Sequence, residues 1–279
     1  MTVTIIGVGL IGGSLAISLK EKQLARHIIG VDNDELHLQT AKSRGLIDEY
    51  CSLEAAISKS TLIVLAVPVD AMMAILPEIM DKITGQVVMD MGSTKGNLLG
   101  VIASHPKKGR FVATHPMWGT EYSGPEAAVS GAFVDKAAVI CNMHDVDEDA
   151  LAVVKNLYQR IGMHVVYMDA QAHDLHAAYV SHISHITSFA LANTVLEKEK
   201  EDDAIFEIAS AGFESTVRLA KSNPDMWVPI FRQNRENVLD VLNEHISQLR
   251  KFKSCLEKEN YTYLKELIEQ ANGIKRILK

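Results

Sequence analysis

Short apolar runs rich in β-branched residues alternate with helical patterns through the first 170 residues. Helical patterns at 10–22 and 34–44 lie between the first runs, where crossovers between parallel strands would pass. This alternation predicts a doubly wound, mostly parallel sheet. The predicted strands cover residues 3–8, 27–32, 61–67, 86–91, 137–142 and 164–169.

Strand-like runs stop after Asp169, and the rest of the sequence has helical periodicity. Polar breaks near 199–203 and 223–229 interrupt it, and 246–279 is patterned as an amphipathic helix. At 279 residues the chain has the length of two domains. The pattern therefore predicts an α/β domain over residues 1–169 and an all-α domain over residues 170–279.

The segment 174–197 is apolar on most of its helical faces. A helix of this kind must be covered by something large. A second copy of the chain would provide that cover, which predicts a homodimer joined through the C-terminal helices. Burial of the helix within its own domain is the alternative.

Composition narrows the class of partner. Apolar residues make up 47% of the chain and charged residues 23%, as in ordinary globular proteins. A net charge of -7 without a basic run disfavours nucleic acid and anionic membranes, so a small-molecule partner is expected.

The three cysteines, Cys51, Cys141 and Cys255, form no C-x-x-C pair, which argues against a disulfide framework or a zinc knuckle. The N-terminal residues carry no secretory pattern. No apolar run reaches the roughly 18 residues that a membrane-spanning helix needs. We therefore expect a cytoplasmic protein with reduced thiols.

A glycine-rich hexapeptide, Gly7 to Gly12, follows the first predicted strand and opens the first predicted helix. It has the pattern G-x-G-x-x-G of dinucleotide sites. In that context Gly7 makes the tight turn, Gly9 admits the pyrophosphate, and Gly12 allows close packing of helix on strand. The phosphates would lie at the helix N-terminus, beside Leu10 and Ile11. The predicted α/β domain is therefore a Rossmann domain.

Asp32 ends the second predicted strand, where its carboxylate would accept hydrogen bonds from the adenosine ribose hydroxyls. Asp34 and Glu35 follow, and the first lysine or arginine after them is Lys42. A 2′-phosphate would be repelled there, so NAD rather than NADP is the predicted cofactor. A glycine turn in a protein that binds no nucleotide is the alternative.

Further candidate residues follow predicted strands, where ligands bind in such folds. Val67, Pro68 and Ser93 are expected to line the nicotinamide half of the cofactor site. His115 precedes Pro116, which favours an extended loop, and an imidazole beside the nicotinamide suggests acid–base chemistry. A hydrogen-bonded structural histidine is the other interpretation.

Five elements together resemble the prephenate dehydrogenase family of tyrosine biosynthesis. They extend over nearly the whole chain, and the HPM-x-GTE and SHxxH elements are the most specific part. The five elements are the glycine hexapeptide with its acidic partner, GSTK (92–95), THPMWGTE (114–121), SHISH (181–185) and GFESTVR (212–218).

The resemblance implies oxidative decarboxylation of prephenate with NAD to 4-hydroxyphenylpyruvate and CO2. It implies that His115 takes the C4 hydroxyl proton as hydride leaves, and that Ser93 hydrogen-bonds both that hydroxyl and His115. Aromatisation would then drive loss of the ring carboxylate. The residues expected at the substrate are His182, His185, Arg218, Lys95, Thr120, Glu121 and Trp227.

Within this set, the resemblance implies that Arg218 binds a substrate carboxylate, a role that its planar fork suits. His182 and His185 share one helix face and are expected to point into the cleft. No third ligand accompanies this H-x-x-H pair, so no metal is expected. Trp227 is either a cap on the pocket of its own or a neighbouring subunit, or a packed core residue. Lys95 either helps to bind the substrate or nicotinamide, or is solvated.

One position departs from the family. Glu214 stands where members often carry an arginine after the GF of the last element. A carboxylate there would suit the ammonium group of arogenate, the substrate of close relatives. His185 is a feature of members that use prephenate, so prephenate is favoured and arogenate is the alternative.

Two other classes are rivals. β-Hydroxyacid dehydrogenases share this layout but use a lysine on the first long helix, and here the first lysine of that helix is Lys198, near its end. An NAD-sensing regulator would need the glycine loop, but not His115, Ser93 and Arg218 together.

Overall fold

The computed structural model describes residues 1–200 and 203–277, which contain two β-sheets and a series of helices. The strands are β1 (Thr2–Ile6), β2 (His27–Val31), β3 (Glu49–Tyr50), β4 (Leu62–Leu65), β5 (Val87–Asp90), β6 (Phe111–Val112), β7 (Thr114–Pro116), β8 (Ala137–Cys141) and β9 (His164–Met168). The α-helices are α1 (Leu10–Glu21), α2 (Glu35–Ser43), α3 (Leu53–Lys59), α4 (Val69–Lys82), α5 (Gly96–Gly100), α6 (Glu148–Arg160), α7 (Ala170–Ala177), α8 (Ile183–Glu199), α9 (Ala211–Val217), α10 (Pro224–Gln233), α11 (Arg235–Glu257) and α12 (Tyr261–Ala271).

The larger sheet has the strand order β3-β2-β1-β4-β5-β6, and every pair in it is parallel. Alternate residues face opposite sides, so that Ile5 and Val64 join one buried apolar cluster, and Ile6 and Leu65 join the other. Strands covered on both faces are apolar throughout. The first four predicted strands and the crossover helices α1 and α2 are therefore confirmed, with ends that differ by one or two residues.

The last two predicted strands belong to a second, smaller sheet. β8 and β9 are parallel, and β7 pairs with β8 in the antiparallel direction, with His115 opposite Val139. The predicted fold class is confirmed, but its single sheet is corrected to two, because an apolar run marks a strand without specifying the strand's partner. His115 consequently lies on a short strand rather than in the predicted loop.

The long helix predicted over 174–197 is divided. α7 passes into a π-helical turn at Ala178–His182, and α8 continues from Ile183. A π turn changes the angular position of the side chains that follow it. The spacing of apolar residues does not reveal such a turn.

The amphipathic helix predicted over 246–279 is also divided. α11 ends at Glu257, Glu259 adopts a left-handed conformation (φ 53°), and Asn260 caps α12 by accepting from the N–H of Tyr263 at 3.1 Å. Glutamate seldom adopts that conformation, so the residue type at position 259 did not indicate the break. Residues 278–279 lie outside the described part of the chain.

The two predicted polar breaks have different outcomes. Asn223 caps α10 by accepting from the N–H of Asp225 at 2.8 Å, so the second break marks a helix start. The first break includes residues 201–202, which lie outside the described residues.

The chain divides into two compact units, one over Met1–Asn234 and one that begins at Arg235. The first contains both sheets and α1 to α10, and the second contains α11 and α12, which pack on each other. The predicted domain boundary after residue 169 stays a prediction. Over the described residues, no helix has both the length and the apolar character needed to cross a membrane.

Candidate active site

The glycine loop connects β1 to α1 and is tightly packed at two of its glycines. Gly7 has φ +92°, a conformation that residues with a side chain rarely adopt. Its N–H donates to the carbonyl of Val31 at 2.8 Å. A Cβ atom on Gly12 would lie 2.0 Å from the carbonyl oxygen of Gly7. The tight turn and the close packing of helix on strand are therefore both present.

Gly9 lies beside open space. A Cβ atom there would have one neighbour within 4 Å among the described residues, the backbone nitrogen of Gly124 at 3.9 Å. Leu10 and Ile11 open α1, which has no acidic residue in its first turn and no side-chain cap. The backbone N–H groups at this end suit an anion. The loop therefore fits the pyrophosphate of a dinucleotide.

The carboxylate of Asp32 lies next to this loop. It accepts hydrogen bonds from the N–H groups of Val8 and Asp34, both at 3.0 Å, and its side chain is 9% exposed. These bonds hold it at the carboxyl end of β2, where the ribose of a dinucleotide binds in such sheets. Its position opposes a 2′-phosphate by charge.

Two alanine substitutions are expected to separate folding from cofactor binding. Gly12→Ala places a methyl group 2.0 Å from a backbone oxygen, so we expect a lower melting temperature together with lost NAD binding. Gly9→Ala is expected to change the free energy of unfolding by less than about 0.5 kcal/mol. Its methyl group occupies the space for pyrophosphate, so NAD affinity is expected to fall more than about tenfold, or about 1.4 kcal/mol.

Thermal and urea unfolding of the ligand-free variants and calorimetric titration with NAD measure these effects. Gly100→Ala is the control, because a Cβ atom on Gly100, the last residue of α5, would meet open space. Full NAD affinity in Gly9→Ala would contradict the assignment of the loop to the pyrophosphate.

The segments after β4 and β5 border the same edge of the sheet. Val67 and Pro68 lie between β4 and α4, and Ser93 lies between β5 and α5. Val67 and Ser93 are half-buried, and Pro68 is exposed. Because β4 neighbours β1 and β5 neighbours β4, the structure brings these residues to the carboxyl edge that carries the glycine loop.

A second histidine contacts His115. Nδ1 of His115 lies 2.9 Å from Nε2 of His173, and Nδ1 of His173 lies 2.8 Å from Oδ1 of Asp174. His173 and Asp174 are buried residues of α7. Within the described residues His115 has no hydrogen bond with Ser93, so the predicted Ser93–His115 bond is corrected to a His115–His173 bond.

Burial lowers the pKa of His115 well below its ordinary value, and the electrostatic effects of His173, Lys95 and His182 act in the same direction. His115 is therefore neutral at physiological pH. A neutral imidazole has one ring nitrogen that accepts a proton. These surroundings suit a general base.

Asp174 connects this pair of histidines to the loop after β5. Its carboxylate accepts from the N–H groups of Lys95 and Gly96, both at 2.8 Å, as well as from His173. Burial acts to raise the pKa of Asp174, but the hydrogen bonds from His173 and Gly96 outweigh it and lower the pKa. Asp174 is therefore ionised.

The side chain of Lys95 lies inside the protein. It is 0% exposed, its ammonium pairs with the equally buried Asp90, and Nζ donates to the carbonyl of Thr114 at 2.7 Å. Asp90 also accepts from the N–H groups of Gly92 at 2.8 Å and Thr114 at 2.9 Å. Both expectations for Lys95, a substrate contact and a solvated position, are corrected, because its charge neutralises a buried carboxylate.

His182, His185 and Trp227 belong to one aromatic group. The ring of His185 stacks on Trp227 with centroids 3.5 Å apart, and His182 meets Trp227 edge-on at 5.9 Å. His182 is 1% exposed and Trp227 5%. The prediction that both histidines point into an open cleft is thus corrected for His182, and Trp227 packs on its own chain.

Burial keeps both histidines neutral. Asn234 donates from Nδ2 to Nδ1 of His182 at 3.1 Å, and burial lowers the pKa of His182 to about 4. Nδ1 of His185 donates to the carbonyl of Ser181 at 3.1 Å, and burial lowers the pKa of His185 as well. Neither ring therefore supplies a full positive charge to an anionic substrate at neutral pH.

Arg218 and Glu121 form an ion pair. Nη1 of Arg218 lies 2.6 Å from Oε2 of Glu121, with the arginine side chain 49% exposed and the glutamate side chain 10% exposed. Thr120 precedes Glu121 and accepts from the N–H of Tyr122 at 3.3 Å. The structure therefore brings two predicted substrate residues together, and a substrate carboxylate would compete with Glu121 for Arg218.

Sequence reasoning missed the roles of His173 and Asp174. The available signal was a His-Asp pair inside a helical segment that is otherwise largely apolar, where buried polar side chains need partners. His115 and His173 are 58 positions apart. No spacing rule connects such distant residues, so their contact was not predictable.

The dinucleotide-binding edge lies next to the segment that anchors the neutral, hydrogen-bonded His115. This is the arrangement of a Rossmann-type dehydrogenase. Residues 15–167 match the family description "Prephenate dehydrogenase, nucleotide-binding domain", and residues 169–270 match "Prephenate dehydrogenase, dimerization domain". The chain belongs to the prephenate dehydrogenase family.

Individual relatives resemble the chain over nearly its full length. The crystal structure of prephenate dehydrogenase from Aquifex aeolicus in complex with hydroxyphenyl propionate and NAD+ is 31% identical, with a TM-score of 0.90, and the match covers 99% of this chain and 97% of that one. Prephenate dehydrogenase of Bacillus subtilis is 28% identical over 98% of this chain and 76% of that protein. Cyclohexadienyl dehydrogenase of Zymomonas mobilis is 27% identical over 99% and 96%. The family membership decides against the β-hydroxyacid dehydrogenase alternative.

Proposed function

We propose that this chain catalyses the oxidative decarboxylation of prephenate with NAD, which yields 4-hydroxyphenylpyruvate, CO2 and NADH. The observation that carries this proposal is the neutral His115, joined through His173 and Asp174 to the loop that holds Ser93, in a chain of this family. NAD supplies the hydride acceptor when it is bound.

His115 accepts the proton of the C4 hydroxyl as hydride leaves the same carbon. Its second ring nitrogen suits this step because burial disfavours the imidazolium before the reaction. Ser93 hydrogen-bonds the hydroxyl and orients it. Release of CO2 makes the ring aromatic, so this part of the reaction depends on placement and on exclusion of water.

The substrate carries two carboxylates, whereas the chain has a net charge of -7. Arg218 is the proposed partner of one carboxylate. Its guanidinium has five donors, and Glu121 accepts from Nη1. Thr120 lies beside Glu121, and the stacked rings of His185 and Trp227 offer an apolar wall to the substrate ring.

The test compares prephenate and arogenate, each with NAD and with NADP, by absorbance of the reduced cofactor. Prephenate with NAD is expected to give the highest kcat/KM, because Asp32 and Asp34 oppose a 2′-phosphate. Arogenate is the alternative, since Glu214 is exposed on α9 and suits an ammonium group. If the protein bound NAD but reduced it with neither prephenate nor arogenate, the enzyme proposal would be overturned in favour of a sensor.

We further propose a cytoplasmic homodimer, with a Rossmann domain over 1–169 and a helical substrate and dimerisation domain over 170–279. Residues 169–270 match a dimerization domain. α8 is rich in apolar residues, yet Ser188 is the one fully buried residue over its described length. A second subunit would cover this helix. A monomeric mass by light scattering at micromolar concentration would contradict the dimer.

A further inference from the structure

His173 and Asp174 take no part in the chemistry proposed above, yet they form the chain of hydrogen bonds that ends at His115. His173 is 2% exposed and Asp174 7%. Both ring nitrogens of His173 are engaged, Nε2 by Nδ1 of His115 at 2.9 Å and Nδ1 by Oδ1 of Asp174 at 2.8 Å. The position of each proton in this series of hydrogen bonds therefore depends on the neighbouring residue.

The ionised carboxylate of Asp174 determines the position of the first proton in this series of hydrogen bonds. The Asp174 carboxylate only accepts hydrogen bonds, so Nδ1 of His173 carries a hydrogen. With a single ring hydrogen, His173 has its lone pair at Nε2, to which His115 would donate from Nδ1. The lone pair of His115 would thereby be left at Nε2.

We propose that His173 and Asp174 are positioning residues that hold His115 in its Nδ1–H tautomer, with Nε2 as the atom that receives the substrate proton. The inference rests on the proposed function for the identity of the substrate, whereas the tautomer is a property of the free protein. When Nε2 gains the proton from the C4 hydroxyl, Nδ1–H stays hydrogen-bonded to His173. The Asp174 carboxylate, which is hydrogen-bonded to the other ring nitrogen of His173, stabilises the new positive charge on His115.

Contacts from two other segments hold this pair in place. The N–H groups of Lys95 and Gly96 donate to the carboxylate of Asp174, and a Cβ atom on Gly96 would lie 3.1 Å from Oδ2. Asn234 donates to the carbonyl of Asp174 at 2.6 Å. Asp174 is therefore restricted to the orientation that directs Oδ1 at His173.

Other charged or titratable groups face His115, and any change in its protonation must be judged against them. Lys95 and His182 both act on His115 electrostatically, in addition to His173. The charge of Lys95 is balanced by Asp90. Neither Lys95 nor His182 is hydrogen-bonded to His115 within the described residues, so neither selects its tautomer.

Nitrogen NMR of protein labelled with 15N-histidine measures the tautomer directly, because ring shifts and couplings distinguish Nδ1–H from Nε2–H. His115→Asn assigns the His115 signals by their loss. We expect Nδ1–H at His115 in the wild type and loss of that preference in His173→Phe, which retains a ring but has no acceptor. His173→Gln, whose side-chain oxygen accepts a hydrogen bond, is expected to restore the preference in part.

In turnover, His173→Phe is expected to lower kcat by about 10- to 100-fold, the scale of loss when a partner that orients a functional histidine is removed. KM for NAD is expected to stay unchanged, and His173→Gln is expected to recover part of kcat. A merely structural role would lower thermal stability in both variants while leaving the tautomer of His115 as it was.

Nε2–H at His115 in the wild type, or an unchanged tautomer in His173→Phe, would overturn the proposal. The wild-type spectrum decides even when a variant fails to fold. Failure of the proposed function is distinguishable, because it would appear as absent turnover of prephenate by a wild-type protein whose His115 still has the Nδ1–H tautomer.

Discussion

Replacing His115 with asparagine is expected to lower kcat with prephenate by about 10²- to 10⁴-fold, the usual contribution of a positioned general base. Asparagine keeps a polar side chain at this position but does not take up a proton. The dissociation constant for NAD is expected to be unchanged, because the glycine loop and Asp32 lie on other elements. NADH absorbance under saturating substrate and calorimetric titration with NAD measure the two quantities.

His144→Asn is the matched control, since His144 is exposed in the turn after β8. Its kcat is expected to equal that of the wild type. Unchanged turnover in His115→Asn would remove His115 from the mechanism. A parallel loss of NAD affinity in that variant would contradict the separation of the proton acceptor from the cofactor loop.

Replacing Lys95 with methionine is expected to lower the free energy of unfolding by about 3–5 kcal/mol, the cost of breaking a buried ion pair. Lys95 and Asp90 are both 0% exposed, so the substitution leaves an uncompensated carboxylate in the core. The backbone N–H groups of Gly92 and Thr114 continue to donate to Asp90, but they do not supply a positive charge. Urea unfolding followed by circular dichroism measures the loss.

Two further variants make the Lys95 result interpretable. Lys82→Met removes an exposed lysine that pairs with Glu78, and it is expected to change stability little. The double variant Asp90→Asn with Lys95→Met retains neither charge and is expected to be more stable than Lys95→Met alone. A raised KM for prephenate with unchanged stability in Lys95→Met would instead restore Lys95 to the substrate site.

The pattern of apolar residues was sufficient for the four longest strands of the larger sheet. Those strands are buried on both faces, so burial appears directly as a continuous apolar run. β3 and β6 have two residues each, too few to show any period. The second sheet was missed as a separate unit because β7 is short and its pairing with β8 joins residues such as His115 and Val139.

The cofactor loop and the proton-accepting site differ in how far sequence could predict them. Gly7, Gly9 and Gly12 act through backbone geometry within a single hexapeptide, so their spacing carries most of the information. The contact between His115 and His173 joins residues 58 positions apart. Such contacts depend on how β7 and α7 are packed, which neither segment encodes alone.

Sequence by itself therefore determined the parallel sheet, the dinucleotide loop, the acidic residue that favours NAD, and a family resemblance that pointed to His115. These properties depend on residues that are close together or on the type of residue present. Tertiary structure decided that Lys95 neutralises Asp90 in the core, that His182 is enclosed beside Trp227, and that His173 contacts His115. Burial and hydrogen-bond partners come from segments distant along the chain, so these assignments required the folded arrangement.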